Sequence, residues 1–229
     1  MKIRDKVKPS LPPLPGGNYL AICVQSIAIG EQLCEFEGKS KGYYNQVLLG
    51  FEICGKTVEI DGKQEPRVLS RTFNTTKGKR SGLRKFIGAW EARELSDDEY
   101  LDTDTNDYVG KAALLTVVLN ETGEYSNIDS IAPLPEGVPI QVPAPLSQLI
   151  RFDMEPWDQK AFESLPEWAQ NKIKNSTEYQ KEHAPVTQVS VAQGTNAIPA
   201  QQTAAGIDFG ALLQSIPSTG SAASGGAPF

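Results

Sequence analysis

The chain has 229 residues, with 22 basic and 28 acidic side chains and a formal net charge of -6. That length suits one large domain, or one domain with appendages. A single histidine, His183, excludes a His-based triad or a multi-His metal site, and the absence of a Walker lysine motif argues against nucleotide hydrolysis of that type.

Lys2, Arg4, Lys6 and Lys8 make the N-terminus basic, and a proline-rich stretch from Pro9 to Pro15 follows. Neither this stretch nor any later apolar run resembles a signal core or a membrane span. Cys23, Cys34 and Cys54 have no CxxC spacing and read as reduced thiols in the core of a cytoplasmic protein. Asn18 to Ile29 is apolar and β-rich, a first strand. Glu31 to Gly42 reads as a polar loop that brings in Lys39 and Lys41. From Tyr43 to Ile53 the pattern alternates: Val47, Leu49, Phe51 and Ile53 share a core face, and Tyr44, Gln46 and Glu52 a wet one. Val68 to Thr75 is a third strand, with Leu69, Arg71 and Phe73 on one face.

Ser81 suits an N-cap, and Leu83, Phe86, Ile87 and Trp90 recur at helical spacing behind it as a core stripe. Ser96 and the acids Asp97, Asp98 and Glu99 mark another helix start. Lys111 to Leu119 and Tyr125 to Ala132 form a hairpin around a turn at 120–124. Pro139, Pro143 and Pro145 mark a linker, and Trp157 to Lys181 offers helical pieces, with Pro166 at a first helical turn. The bland reading of this segment is a cover for exposed apolar surface; a docking element is the other. From Ala184 to Phe229 the only charged side chain is Asp208, and the composition predicts disorder.

Three strands, a helix, then a hairpin is the order of the oligonucleotide-binding (OB) barrel. The expected architecture is therefore mainly β: a five-stranded OB-like barrel with a helix between strands three and four, a C-terminal helical segment and a disordered tail. Residues 1–16 read as a flexible basic, proline-rich arm and 17–135 as the OB-like nucleic-acid-binding domain. Residues 136–183 read as linker and helical segment, and 184–229 as the low-complexity tail.

Between Arg67 and Trp90 the chain carries seven cations and no acid: Arg67, Arg71, Lys77, Lys79, Arg80, Arg84 and Lys85, interleaved with Phe73, Phe86 and Trp90. Cations among aromatics suit single-stranded nucleic acid, whose phosphates meet Lys and Arg while its unstacked bases lie on rings. The alternative is a solvated basic helix beside core aromatics. Tyr44 is the favoured stacking residue by strand parity and Phe73 the second, with Lys39 and Lys41 adding cations from the first loop.

The runs Ser81–Trp90 (SGLRKFIGAW), Tyr108–Lys111, Asn120–Glu121 and Tyr125–Pro135, with Gly17–Val24 and Leu165–Trp168, resemble a family of phage-encoded proteins of replication and recombination gene cassettes that are regarded as single-stranded-DNA-binding proteins. The resemblance covers roughly two thirds of the chain through short, mainly structural motifs. It implies an OB-like barrel coating single strands in the cytoplasm of a bacterial host, with no cofactor. A partner such as a phage recombinase, helicase or polymerase would be met through the C-terminal region. Single-strand binders of this kind often end in an acidic tail with a terminal Phe; here Phe229 is present and the acids are not. Phe209 and Leu212, in an apolar run at 207–213, are a second docking candidate.

Three rival readings follow from the same residues: an adaptor that recruits such a partner, a virion structural protein, and a metal-dependent nuclease. The nuclease would use Asp97, Asp98, Glu99, Asp102, Asp104 and Asp107, since paired carboxylates can hold Mg²⁺. Asp102-x-Asp104-x-Asn106 opens like a calcium loop, but Asp107 stands where the loop needs Gly and Ala113 where it needs Glu. A solvated helix start whose acids edge the DNA path is the simpler reading.

Overall fold

The computed structural model describes residues 11–183 apart from 37, 61 and 138, within a first unit that is compact by itself. Phe209, Leu212 and Phe229, like the rest of the expected tail and the first ten residues, lie outside the described residues. Chain order is β1 (Gly17–Phe36), β2 (Lys39–Ile60), β3 (Lys63–Asn74), α1 (Gly82–Trp90), α2 (Asp97–Leu101), a 3₁₀ turn (Thr105–Tyr108), β4 (Ala112–Leu119), β5 (Ser126–Ala132), β6 (Ile150–Phe152), α3 (Gln159–Ser164), α4 (Glu167–Lys174) and α5 (Thr177–His183). Among the described residues no helix is long and apolar enough to cross a membrane.

The sheet path is β3-β2-β1-β4-β5, antiparallel throughout, with β6 added parallel to β1. The expected five strands and intervening helix are present in the expected order. The sheet is open, however: β3 and β5 approach each other without a backbone ladder. Arg71 crosses the gap, donating from Nη1 to the carbonyls of Ile128 (3.0 Å) and Asp129 (2.7 Å) while its guanidinium lies over Phe73 and Phe86. Arg71→Ala leaves both carbonyls without their charged donor and is expected to lower stability by about 2–3 kcal/mol in urea unfolding. Arg71→Lys should recover less than half of that, because an ammonium lacks the planar fork.

One core lies inside the curl of the sheet. Cys23, Val47, Leu49, Phe51, Ile53, Leu69 and Phe73 meet the apolar stripe of α1 and the inward side chains of β4 and β5. Phe86 packs on Phe73 and Phe51 with ring centroids 4.8 and 6.0 Å apart, and Trp90 on Phe51 at 5.5 Å. The Trp90 indole donates to the Ala112 carbonyl, tying α1 to β4. Ser81 caps α1 as its sequence suggests, accepting from the Arg84 amide and sharing a hydrogen bond with the Tyr100 hydroxyl.

A second core lies on the other side of β1. Val24 and Ile29 are extra residues in β1 relative to β2, at two register shifts. Each shift changes which side chains face which way. Cys23 therefore points into the first core, whereas Ile27 and Ile29 join Phe152, Phe162, Leu165, Ala169 and Ile173 in the second. The 157–183 segment thus acts as a cover for apolar surface, packing on Ile27 and Ile29 of β1. Gly30, at φ +71°, lets α5 approach: a methyl there would stand 2.8 Å from Ser176 Cβ. The 139–147 stretch is anchored as well, since the buried Glu52 carboxylate accepts the amides of Leu146 (2.9 Å) and Ser147 (2.6 Å). On the N-terminal side Leu14 is buried, and its amide and carbonyl both bond the Ser126 hydroxyl, which anchors this segment at the start of β5.

The stretch expected as a polar loop, 31–42, is instead a β-ribbon. β1 and β2 continue as a two-stranded arm to a tight turn at Gly38, with Glu31 opposite Asn45, Leu33 opposite Tyr43 and Phe36 opposite Lys39. Polarity misled here because an arm with one solvated face and only partial cover on the other needs no apolar alternation.

Candidate nucleic-acid interface

The expected cations fall into two groups. Lys77, Lys79, Arg80 and Lys85 are exposed, the first three in the β3–α1 connection and the last on α1. Lys39 and Lys41 are exposed at the ribbon tip. A pair of bonds from Thr75 to the Asn45 carbonyl, 2.8 Å from the amide and 3.1 Å from the hydroxyl, ties the connection to the base of the ribbon. Charge on the connection and charge on the arm are thereby held on one framework.

Of the other three cations two serve the fold and the third is buried. Arg71 bridges β3 to β5. Arg84 is 8% exposed: it pairs with Asp97 at 2.5 Å, donates to the Leu95 carbonyl and lies over the Tyr100 ring, so it is a buried clasp between α1 and α2 and not a phosphate ligand. Helical spacing puts it on the polar side of α1, and the 91–96 loop folds back to cover that side. Arg67 is equally buried; its Nη1 has no partner among the described residues, and burial pulls its guanidinium below the ordinary arginine value.

The aromatics also divide. Phe73, the second stacking candidate, is only 5% exposed and belongs to the inner core, because its face of β3 is the one that meets α1. It cannot receive a base. Tyr44 is half-buried, opposite Gln32 on the side of the arm that carries Gly30 and the helical layer. Tyr43, its neighbour, is 54% exposed, and its cross-strand partner Leu33 is 47% exposed. β2 alternates without interruption from Gly42 to Ile53, so Tyr43 shares the face of Val47, Leu49 and Phe51. β3 stops at Asn74, opposite Gln46, so the core face of β2 runs on past the end of the core and becomes solvent-facing. The signal for Tyr43 is its parity together with the length of the strand, and only the first can be read before the ribbon is known.

Beside the ribbon base runs an open groove of about 700 Å³, lined on one side by Asn45, Thr75 and Lys77. Asp102, Asp104, Asp153, Glu155 and Glu178 also line it. Burial pushes the Asp153 carboxyl up, with the Asn106 amide, donating at 2.6 Å, pulling the other way. So much negative charge makes the groove a boundary for a polyanion, not its bed.

The acids weighed as a metal site are engaged in capping and pairing. Ser96 and Glu99 form a reciprocal capping box, and hydrogen bonds from Ser96 with the Arg93 ion pair hold the Glu99 carboxyl down at about 2. Arg84 holds Asp97 below its ordinary value, and Asp104 caps the 3₁₀ turn through the Asn106 amide. Among the described residues no group of three or more His, Cys, Asp or Glu is placed to hold a metal ion. The three cysteines are free; Cys23 is buried, which pushes its thiol up to about 12. Comparison of the chain with family models, with curated proteins and with solved structures finds no significant match.

Proposed function

We propose that this chain is a non-enzymatic, sequence-tolerant single-stranded-DNA-binding protein of phage replication or recombination, built on an OB-type barrel. The observation that carries the reading is the linkage of the exposed Lys77–Lys79–Arg80 connection to the ribbon that bears Lys39 and Lys41. Exposed cations carried on one framework suit a chain of phosphates, and nothing about exposed lysines on a loop and an arm reads base identity. The OB reading is supported by the strand path, by the helix between β3 and β4, and by Arg71 spanning the two edges that a closed barrel would pair. OB barrels are commonly only partly closed.

The test is fluorescence anisotropy of labelled single-stranded and duplex DNA of equal length across salt. Tight single-strand binding that weakens log-linearly with salt is expected, with weak duplex binding. Replacing Lys79, Arg80 and Lys85 together by Ala should flatten the salt dependence by about 2, at ~0.7 for each phosphate no longer neutralised. An unchanged slope would show that the phosphates lie elsewhere. Absence of single-strand binding at low salt would overturn the reading and leave the adaptor, whose activity should vanish when residues 184–229 are deleted.

A further inference from the structure

We propose that Tyr43 on the β1–β2 ribbon is the residue on which an unstacked nucleobase lies, an inference that rests on the single-strand-binding reading above. A large aromatic that is more than half exposed, beside an almost equally exposed Leu33 directly across the ladder, forms an apolar patch that the fold itself does not use. The patch stands on a braced arm. Gln46 donates to the Asn74 side chain at 2.8 Å and to Cys34 Sγ at 3.1 Å, tying the ribbon base to the end of β3. Gln32 donates to the Lys172 carbonyl, and Glu31 takes Thr177 and Glu178 as partners, tying the other strand to α4 and α5.

A ring held on a rigid support loses little freedom when a base settles on it. Cations flank it, with Lys39 and Lys41 toward the tip and Lys77 on the connection bonded to Asn45, two residues along the same face. An exposed aromatic ring with Lys41 two residues away on its own strand and Lys39 at the tip suits a nucleotide, whose base and phosphate are one unit apart. This charge complementarity selects single-stranded nucleic acid over an apolar protein segment as the occupant. Tyr44, turned toward the helical side, does not offer the same open ring.

The test pairs an oligo-dT with an abasic oligonucleotide of the same length, both labelled, at protein concentrations where sedimentation shows a single species. Tyr43→Ala should weaken oligo-dT binding roughly 5- to 150-fold, the range for removal of one stacked base, with its salt slope unchanged. Tyr43→Phe should stay within about twofold of wild type, and the abasic strand should bind wild type and Tyr43→Ala alike. Equal oligo-dT affinity for wild type and Tyr43→Ala would overturn the inference and leave the function standing. An equal loss on the abasic strand would overturn it too, assigning Tyr43 to the backbone. A change in sedimentation without a change in affinity would give the patch to a second copy. If wild type binds neither strand, the function itself fails.

Discussion

Phe73→Ala is expected to lower the stability of the fold by about 3–5 kcal/mol while leaving the single-strand affinity of the folded protein unchanged. The ring is buried between the Phe86 ring and the Arg71 guanidinium, whose centre lies 5.1 Å from its centroid. Truncation opens a cavity where β3 meets α1 and removes the surface on which Arg71 lies as it reaches β5. The neighbours are held by the sheet and by the helix, so the space cannot collapse fully, which places the loss toward the upper part of the large-to-small range. Urea unfolding measures the stability, and anisotropy well below the midpoint measures the affinity. Phe73→Leu should restore most of the stability. A variant that is as stable as wild type but binds DNA tenfold more weakly would reinstate Phe73 as a base contact and remove it from the core.

Phe162→Ala should have an effect of similar size, about 3–5 kcal/mol, through the second core. Phe162 is buried, with Trp157 at 4.9 Å, Tyr179 stacked at 5.7 Å and Phe152 at 6.2 Å between ring centroids. It joins α3, α5 and β6 into one layer against Ile27 and Ile29. Because β1 supplies side chains to both cores, both should be lost in a single cooperative transition. Near-UV circular dichroism, sensitive to the Trp157 cluster, should coincide with the far-UV signal from the sheet through urea. A separate transition of the aromatic signal at lower urea would mean that the helical layer folds independently of the sheet. A loss below about 1 kcal/mol would mean that the layer is only loosely applied, well short of the usual penalty for a buried Phe.

Much of the framework is legible in the residues. Alternation marks β2 and β3, the apolar stripe marks α1 with Phe86 and Trp90 inward, and Ser81 and Ser96 mark helix starts that the structure uses as caps. The exposed cations Lys39, Lys41, Lys77, Lys79, Arg80 and Lys85 are likewise where a reading of local polarity puts them. These features depend on interactions within a few residues, which is why they can be read one at a time.

The roles of Arg71, Arg84 and Phe73 are a different matter. A cation looks the same in sequence whether it meets solvent or a carbonyl, and the carbonyls that Arg71 meets lie 57 and 58 positions further along the chain. Arg84 is buried by a loop that leaves α1 and returns to it. Two inserted residues, Val24 and Ile29, decide which side of β1 each apolar residue faces, and their effect exists only relative to the register of β2. The same holds for Tyr43, which lies on the core side of a strand that outruns its core. Local periodicity thus determined the elements, their order and the supply of surface charge. The approach of β3 to β5, the second core and the exposed ring on the ribbon were decided by tertiary structure, because burial is a property of what packs opposite a residue and not of the residue itself.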